Sequence, residues 1–130
     1  MNKLFTKICK VMLRTIGNAL PNYGEPFGSF GNAFRCMCVK VIVGGGNFGK
    51  NIYIMKGAYV DEGVQLKDNA VVGINSVLHT GTVISGNNMM GHNVSIFTQN
   101  HKYNSQTHSF NGYTEVLPVI IGEYSWIGQG

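Results

Sequence analysis

FGKNIYIMKGAYVDEGVQLKDNAVVGINSVLHTGTVISGNNMMGHNVSIFTQNH, residues 48–101, decides how this chain folds. Split into sixes from Phe48, it gives nine hexads whose first residues are Phe48, Ile54, Val60, Leu66, Val72, Leu78, Ile84, Met90 and Ile96, all sizeable and apolar. The fifth position is mostly small, as at Ala58, Val64, Ala70, Ser76, Thr82 and Val94. The fourth position reads Asn51, Gly57, Gly63, Asn69, Asn75, Gly81, Asn87 and Asn93. Glycine (18) and asparagine (14) together make up about a quarter of the 130 residues, so eight in succession arise by chance roughly once in 10⁵. These two residue types enter the left-handed backbone region at least cost, so the run predicts a turn at every sixth residue.

Helices need apolar spacings of three and four, and hairpin sheets place their turns irregularly. Short strands with a corner every six residues instead build a flat-faced coil, three faces and about 18 residues around, the signature of a parallel β-helix of hexapeptide repeats. First-position side chains then stack into aliphatic layers between coils, and small fifth-position residues fill the corners. The expected fold is an all-β core preceded by α-helical segments, with residues 1–46 as helices and linker and 47–130 as the coil.

Upstream, residues 3–20 set Leu4, Phe5, Ile8, Met12, Ile16 and Leu20 on one helical stripe, with Pro21 as a stop. Residues 29–43 place Phe30, Ala33, Phe34, Met37, Cys38 and Val41 on another, and a Gly/Pro loop joins the two. Both helices are expected to plug the open first coil, since an exposed end invites edge-to-edge association. Weak membrane-surface contact through the basic first helix is the alternative.

The net charge of +4 is N-terminal: Lys3, Lys7, Lys10, Arg14, Arg35 and Lys40 face only Glu25 before residue 41, whereas the remainder carries four lysines against five carboxylates. That remainder lacks the basic face with interleaved aromatics that a nucleic acid requires. Three cysteines, Cys9, Cys36 and Cys38, read as buried free thiols in a reducing compartment. Lysines interrupt the opening stretch before it reaches the length of a membrane span, and it has no secretory cleavage pattern, so a soluble, cytoplasmic protein is expected. Gly44, Gly46 and Gly49 match a dinucleotide-binding fingerprint but lead into a coil rather than a helix, and the "NVS" at Asn93 falls on a repeat turn.

The hexad pattern stops at His101 and resumes as "IIGEYSWIGQG", so residues 102–119 form a loop extruded from the coil. Loops of this length without structure of their own are commonly functional. His101 takes the sixth, outward position of its hexad, where a rigid scaffold meets a mobile segment. An imidazole placed there suits general-base work near neutral pH. His79 and His92 read as surface residues, and His108 lies in the loop.

The run "GINSVLHTGTVISGNNMMGHNVSIFTQNHKY" followed by "GYTEVLPVIIGEYSWIGQG" resembles the hexapeptide-repeat O-acetyltransferases, nearest to those acting on bacterial polysaccharides, colanic acid, maltose and galactosides. The resemblance covers residues 48–130 and is most specific over 84–130. It implies a left-handed coil, against the right-handed preference of crossover connections. It also implies a homotrimer with sites at subunit boundaries, acetyl-CoA as co-substrate with no bound cofactor or metal, and His101 as the base in direct transfer to a sugar hydroxyl. Trp126 matches the tryptophan that would approach a neighbouring subunit's histidine. Asn75 matches a position that reaches the acceptor, though it is also a fourth-position turn residue and turn chemistry is the favoured explanation. Asn100 and Tyr103 flank the base and would orient it or the sugar.

Family members continue for several coils beyond "WIG", so a C-terminally incomplete chain and donor groove are expected here. Three alternatives follow: a non-catalytic oligomerisation module, acetylation of another small acceptor such as an antibiotic, and a zinc hydrolase on the same scaffold. The last needs histidines converging across a subunit boundary, and the intervals from His92 to His101 and on to His108 do not match that arrangement.

Overall fold

A computed structural model describes residues 2–130. Three helices come first: α1 (Lys3–Arg14), α2 (Ile16–Ala19) and α3 (Gly28–Val43). Eight short strands follow in the regular region: β1 (Tyr53–Ile54), β2 (Tyr59–Val60), β3 (Gln65–Leu66), β4 (Val71–Val72), β5 (Val77–Leu78), β6 (Thr82–Ile84), β7 (Met89–Met90) and β8 (Ser95–Ile96). Four more complete the chain: β9 (His101–Asn104), β10 (Ser109–Tyr113), β11 (Val119–Ile121) and β12 (Trp126–Ile127).

The regular strands pair in parallel with a constant offset. Tyr53 lies opposite Val71, Tyr59 opposite Val77, Gln65 opposite Val83 and Val77 opposite Ser95, each 18 residues on. The chain therefore winds through three ladders and returns above itself once every three hexads. All eight fourth-position residues from Asn51 to Asn93 have positive φ, between 46° and 88°, as the corner reading requires. First-position side chains from Ile54 to Ile96 form a buried aliphatic stack, and Val64, Ala70, Ser76, Thr82 and Val94 are buried at fifth positions.

One corner departs from the small-residue rule. Asn88 is a buried fifth-position residue whose amide accepts from Val71 N and donates to Val71 O, both at 3.3 Å. Its side chain takes over backbone bonding between β4 and β7, which explains why the β1–β4 and β7–β12 pairs stand as separate sheets. The exposed corners carry their own bonding: the Asn51 amide donates to Asn69 Oδ1 at 3.2 Å, and Asn69 to Asn87 Oδ1 at 2.8 Å, a side-chain ladder up one edge.

The helices pack on the coil by other faces than apolar periodicity predicts. The expected single helix over 3–20 is broken at Thr15, whose φ of −98° and ψ of −83° are non-helical. Within α1 the buried residues are Thr6, Cys9 and Leu13, whereas Leu4, Phe5, Ile8, Val11 and the following Ile16 face solvent. In α3 the buried face is Gly28, Gly31, Arg35, Cys38, Val39, Ile42 and Val43, so of the expected stripe only Cys38 is fully inside; Phe30 and Met37 are exposed. The reason is backbone proximity. A Cβ on Gly31 would strike the carbonyl oxygen of Pro21, so this side of α3 is reserved for close approach.

Arg35 fixes that approach. Fully buried, its guanidinium donates to the carbonyls of Ile54 (2.6 Å), Gly17 (2.9 Å), Leu20 (3.2 Å) and Pro21 (2.9 Å), tying both helical connections to the first coil. Burial lowers its pKa, but a guanidinium stays charged and its N–H groups are consumed by carbonyls. No helix among the described residues is long and apolar enough to cross a membrane.

The stretch expected to be a loop is a hairpin. β9 and β10 pair antiparallel, Ser109 opposite Asn104, Phe110 opposite Tyr103 and Tyr113 opposite His101, with an irregularity between Phe110 and Tyr113. The coil then resumes: Val119 lies opposite Thr82 and Trp126 opposite Met89, 37 residues back instead of 18. The hairpin and its return are thus a 19-residue insertion that preserves register.

Candidate functional site

The 18-residue winding stacks Asp61, His79 and Phe97 one above another, each immediately following the inward residue of β2, β5 or β8. The amide of Asp61 donates to Leu78 O at 3.0 Å and that of His79 to Ile96 O at 3.2 Å, so the ladder continues through these positions and holds their side chains in one outward row.

In that row Asp61 is shared. Its Oδ1 accepts from the Tyr59 hydroxyl at 2.8 Å and its Oδ2 lies 2.9 Å from His79 Nδ1. An ionised carboxylate can only accept, so Nδ1 carries a proton, and in the neutral ring Nε2 keeps its lone pair directed elsewhere. The His79 ring stacks on Phe97, centroids 5.0 Å apart and 29° between planes. Asp61 raises the Tyr59 pKa through that hydrogen bond, burial adds to the shift, and Arg14 from α1 covers the Tyr59 ring at 4.9 Å. The expectation of a plain surface histidine at position 79 is corrected: the side chain is half-buried and oriented by a carboxylate one coil below.

Above Phe97 the chain climbs through Thr98, Gln99 and Asn100 to His101. Thr98 Oγ1 donates to Thr80 O at 2.6 Å, anchoring the start of the excursion to the coil beneath. Thr114 clamps its base: the Asn100 amide donates to Thr114 Oγ1 at 2.9 Å, and the Thr114 amide to Asn100 O at 2.8 Å. His101 opens β9, exposed, with its ring against Tyr113 (centroids 4.6 Å) and edge-on to Phe110 (6.2 Å). Among the described residues nothing hydrogen-bonds to its ring nitrogens.

Both imidazoles border one cavity of about 410 Å³, with Phe97 as an apolar wall and Gln99, Asn100 and Tyr113 offering polar groups around it. Of the residues the sequence singled out, His101 and Asn100 meet here. Tyr103 lies farther out on the hairpin and does not border this cavity, its ring 5.2 Å from Phe110 and its hydroxyl 3.2 Å from His108 Nδ1, beside a second hollow with Lys102 and Asn104. Asn75 is an exposed corner residue with φ of 54°. Trp126 is exposed on β12, on a different ladder from His79. His79, Asp61, Phe97, Gln99 and Tyr113 are cavity or supporting residues that the sequence reading did not select.

Comparisons of the chain with models of known protein families, with curated proteins and with solved structures find no match.

Proposed function

We propose that this chain is an acyltransferase of the hexapeptide-repeat type, carrying an acetyl group from acetyl-CoA to a hydroxyl of a sugar or bacterial polysaccharide. The observation that carries the reading is the junction at His101, where an 18-residue coil releases a hairpin and an imidazole borders a cavity. His101 takes the proton of the acceptor hydroxyl as its oxygen attacks the thioester carbonyl. The tetrahedral intermediate collapses with cleavage of the carbon–sulfur bond, and the departing thiolate recovers the proton from the imidazolium. Holding donor and acceptor side by side supplies much of the rate.

The cavity's composition supports a hydroxyl-rich acceptor. An aromatic wall with convergent amide and phenol groups suits a ligand that has an apolar face and several hydroxyls. The same reading makes the coil left-handed and the protein a cytoplasmic homotrimer, in which Trp126 of the partner subunit approaches His101 and completes a site that lies open in one chain. Free Cys9, Cys36 and Cys38 accord with a reducing compartment.

A second reading has a specific observation in its favour: Asp61 orients His79 and leaves Nε2 as an acceptor, the arrangement expected of a base. On that reading His101 binds acceptor and His79 takes the proton. Incubation with acetyl-CoA and candidate glycans, followed by assay of free thiol, tests both. Release abolished in His101→Ala and only slowed in His79→Ala supports the first assignment, and the reverse supports the second. Equal release from the wild type and both variants removes both base assignments, and a wild type that releases no thiol in the presence of acceptor removes the acetyltransferase reading.

A further inference from the structure

We infer that α1 is a docking surface for an anionic lipid bilayer, whichever imidazole does the chemistry. At 100° per residue, Leu4, Ile8 and Val11 lie diametrically opposite the buried face of Thr6, Cys9 and Leu13. Leu4 and Val11 are 64% and 61% exposed, so the most apolar side of the helix is the one turned to solvent. Phe5 borders that ridge on one side. A basic row of Lys3, Lys7, Lys10 and Arg14 borders it on the other, and α1 contains no acidic residue.

The helix is not free to roll this ridge inward. Lys10 Nζ is held 3.0 Å from Glu62, Arg14 lies over Tyr59, and Leu13 and Cys9 are locked in the core. Lys3 and Lys7 are exposed beside the ridge and have no ion-pair partner among the described residues. The early coil is different: between Met37 and Met89 the chain exposes no large apolar side chain, and exposed ones return only from Met89 onward, at Phe97, Ile120, Tyr124 and Trp126 among others.

The occupant follows from charge and shape. Apart from the buried Arg35, residues 2–40 carry five basic side chains against Glu25 alone, whereas the rest of the chain carries four against five and has no acidic concentration to match them. That argues against a second copy as the partner. The ridge is also convex and about two turns long, which a fluid interface accepts without a complementary groove. Apolar side chains flanked by lysines are the pattern that inserts below lipid headgroups while the ammonium groups meet phosphate.

Co-sedimentation of the full chain with vesicles tests this. Mixed phosphatidylcholine–phosphatidylglycerol vesicles should retain the protein, pure phosphatidylcholine should retain at least about tenfold less, and added salt should release it. Lys3→Gln with Lys7→Gln should weaken retention about ten- to thirtyfold and flatten the salt dependence. Leu4→Gln with Val11→Gln should abolish it without altering the melting temperature, both sites being exposed. Wild type left in the supernatant with both vesicle types, or variants retained as well as wild type, overturns the inference. So does an apolar variant that changes oligomeric mass yet still binds vesicles, which would assign the ridge to a second copy.

Discussion

Asp61 and His79 hold a 2.9 Å contact because they occupy the same hexad position one coil apart. The register that pairs Val60 with Leu78 brings the following residues face to face, so the pair is a product of winding rather than of local sequence.

Asp61→Asn tests the role of that contact. An amide still accepts a hydrogen bond but carries no charge to stabilise the imidazolium that forms during proton transfer, so thiol release from acetyl-CoA should fall about ten- to a hundredfold if His79 assists the reaction. His101→Ala should cost about 10²–10⁴ if it is the base. Steady-state kinetics separates them: loss of a base lowers kcat, whereas loss of an acceptor contact raises the acceptor KM.

Arg35→Met should destabilise the fold by about 3–5 kcal/mol. The substitution leaves the carbonyls of Ile54 and Gly17 without their donor in the interior, and those of Leu20 and Pro21 without theirs at its half-buried margin. Urea denaturation followed by circular dichroism reads the change. A loss under about 1 kcal/mol would mean that the guanidinium does not hold the cap to the coil.

The corner ladder gives a pair of opposite predictions. Asn69 has φ of 60° and bonds to both Asn51 and Asn87, so Asn69→Ala should cost about 1–2 kcal/mol, and Asn69→Gly less because glycine accepts the backbone angle. Tyr124 sits level with Asn87 at φ of 57° and is 81% exposed, a bulky residue in a left-handed corner. Tyr124→Asn should therefore stabilise by about 1 kcal/mol and extend the amide ladder by one step. Thermal melts of the three variants should rank in that order.

Burial pushes the Cys36 and Cys38 thiols up to about 11 from an ordinary value of 9.0. At pH 8 the thiolate fraction of either is then about one in a thousand, and iodoacetamide should label neither until the chain unfolds. Raised thiol values also fix the sign of a linkage. The native state keeps its protons while the unfolded chain loses them, so stability is intact below pH 9 and declines as pH rises toward 11. Urea midpoints at pH 8 and pH 10.5 check the direction.

The coil was readable because its rule is local: each corner needs a residue tolerant of positive φ, and Asn or Gly stands at every one from Asn51 to Asn93. The helical faces were misread because counting apolar residues ignores what Gly31 and Arg35 do. A missing Cβ and a carbonyl-bonded guanidinium define the inner side of α3, and neither registers as hydrophobic. His101 and Asn100 were found at the place where periodicity fails. Asp61 and His79 were missed although the signal was present, since 18 residues separate them and the coil length follows from the hexads. The hairpin hid because its strands alternate aromatic with polar residues over only four and five positions, and because its pairing is settled by Thr114 closing on Asn100.

The 19-residue excursion leaves the winding at one layer and rejoins it with Val119 above Thr82 and Ile121 above Ile84. Such a graft is phase-neutral: the tiers above it inherit their footing from those beneath, whatever the projecting arm contains. Its tip, from Asn104 to Ser109, is accordingly a cassette that can be lengthened, shortened or exchanged while the spindle that bears it goes on turning unchanged.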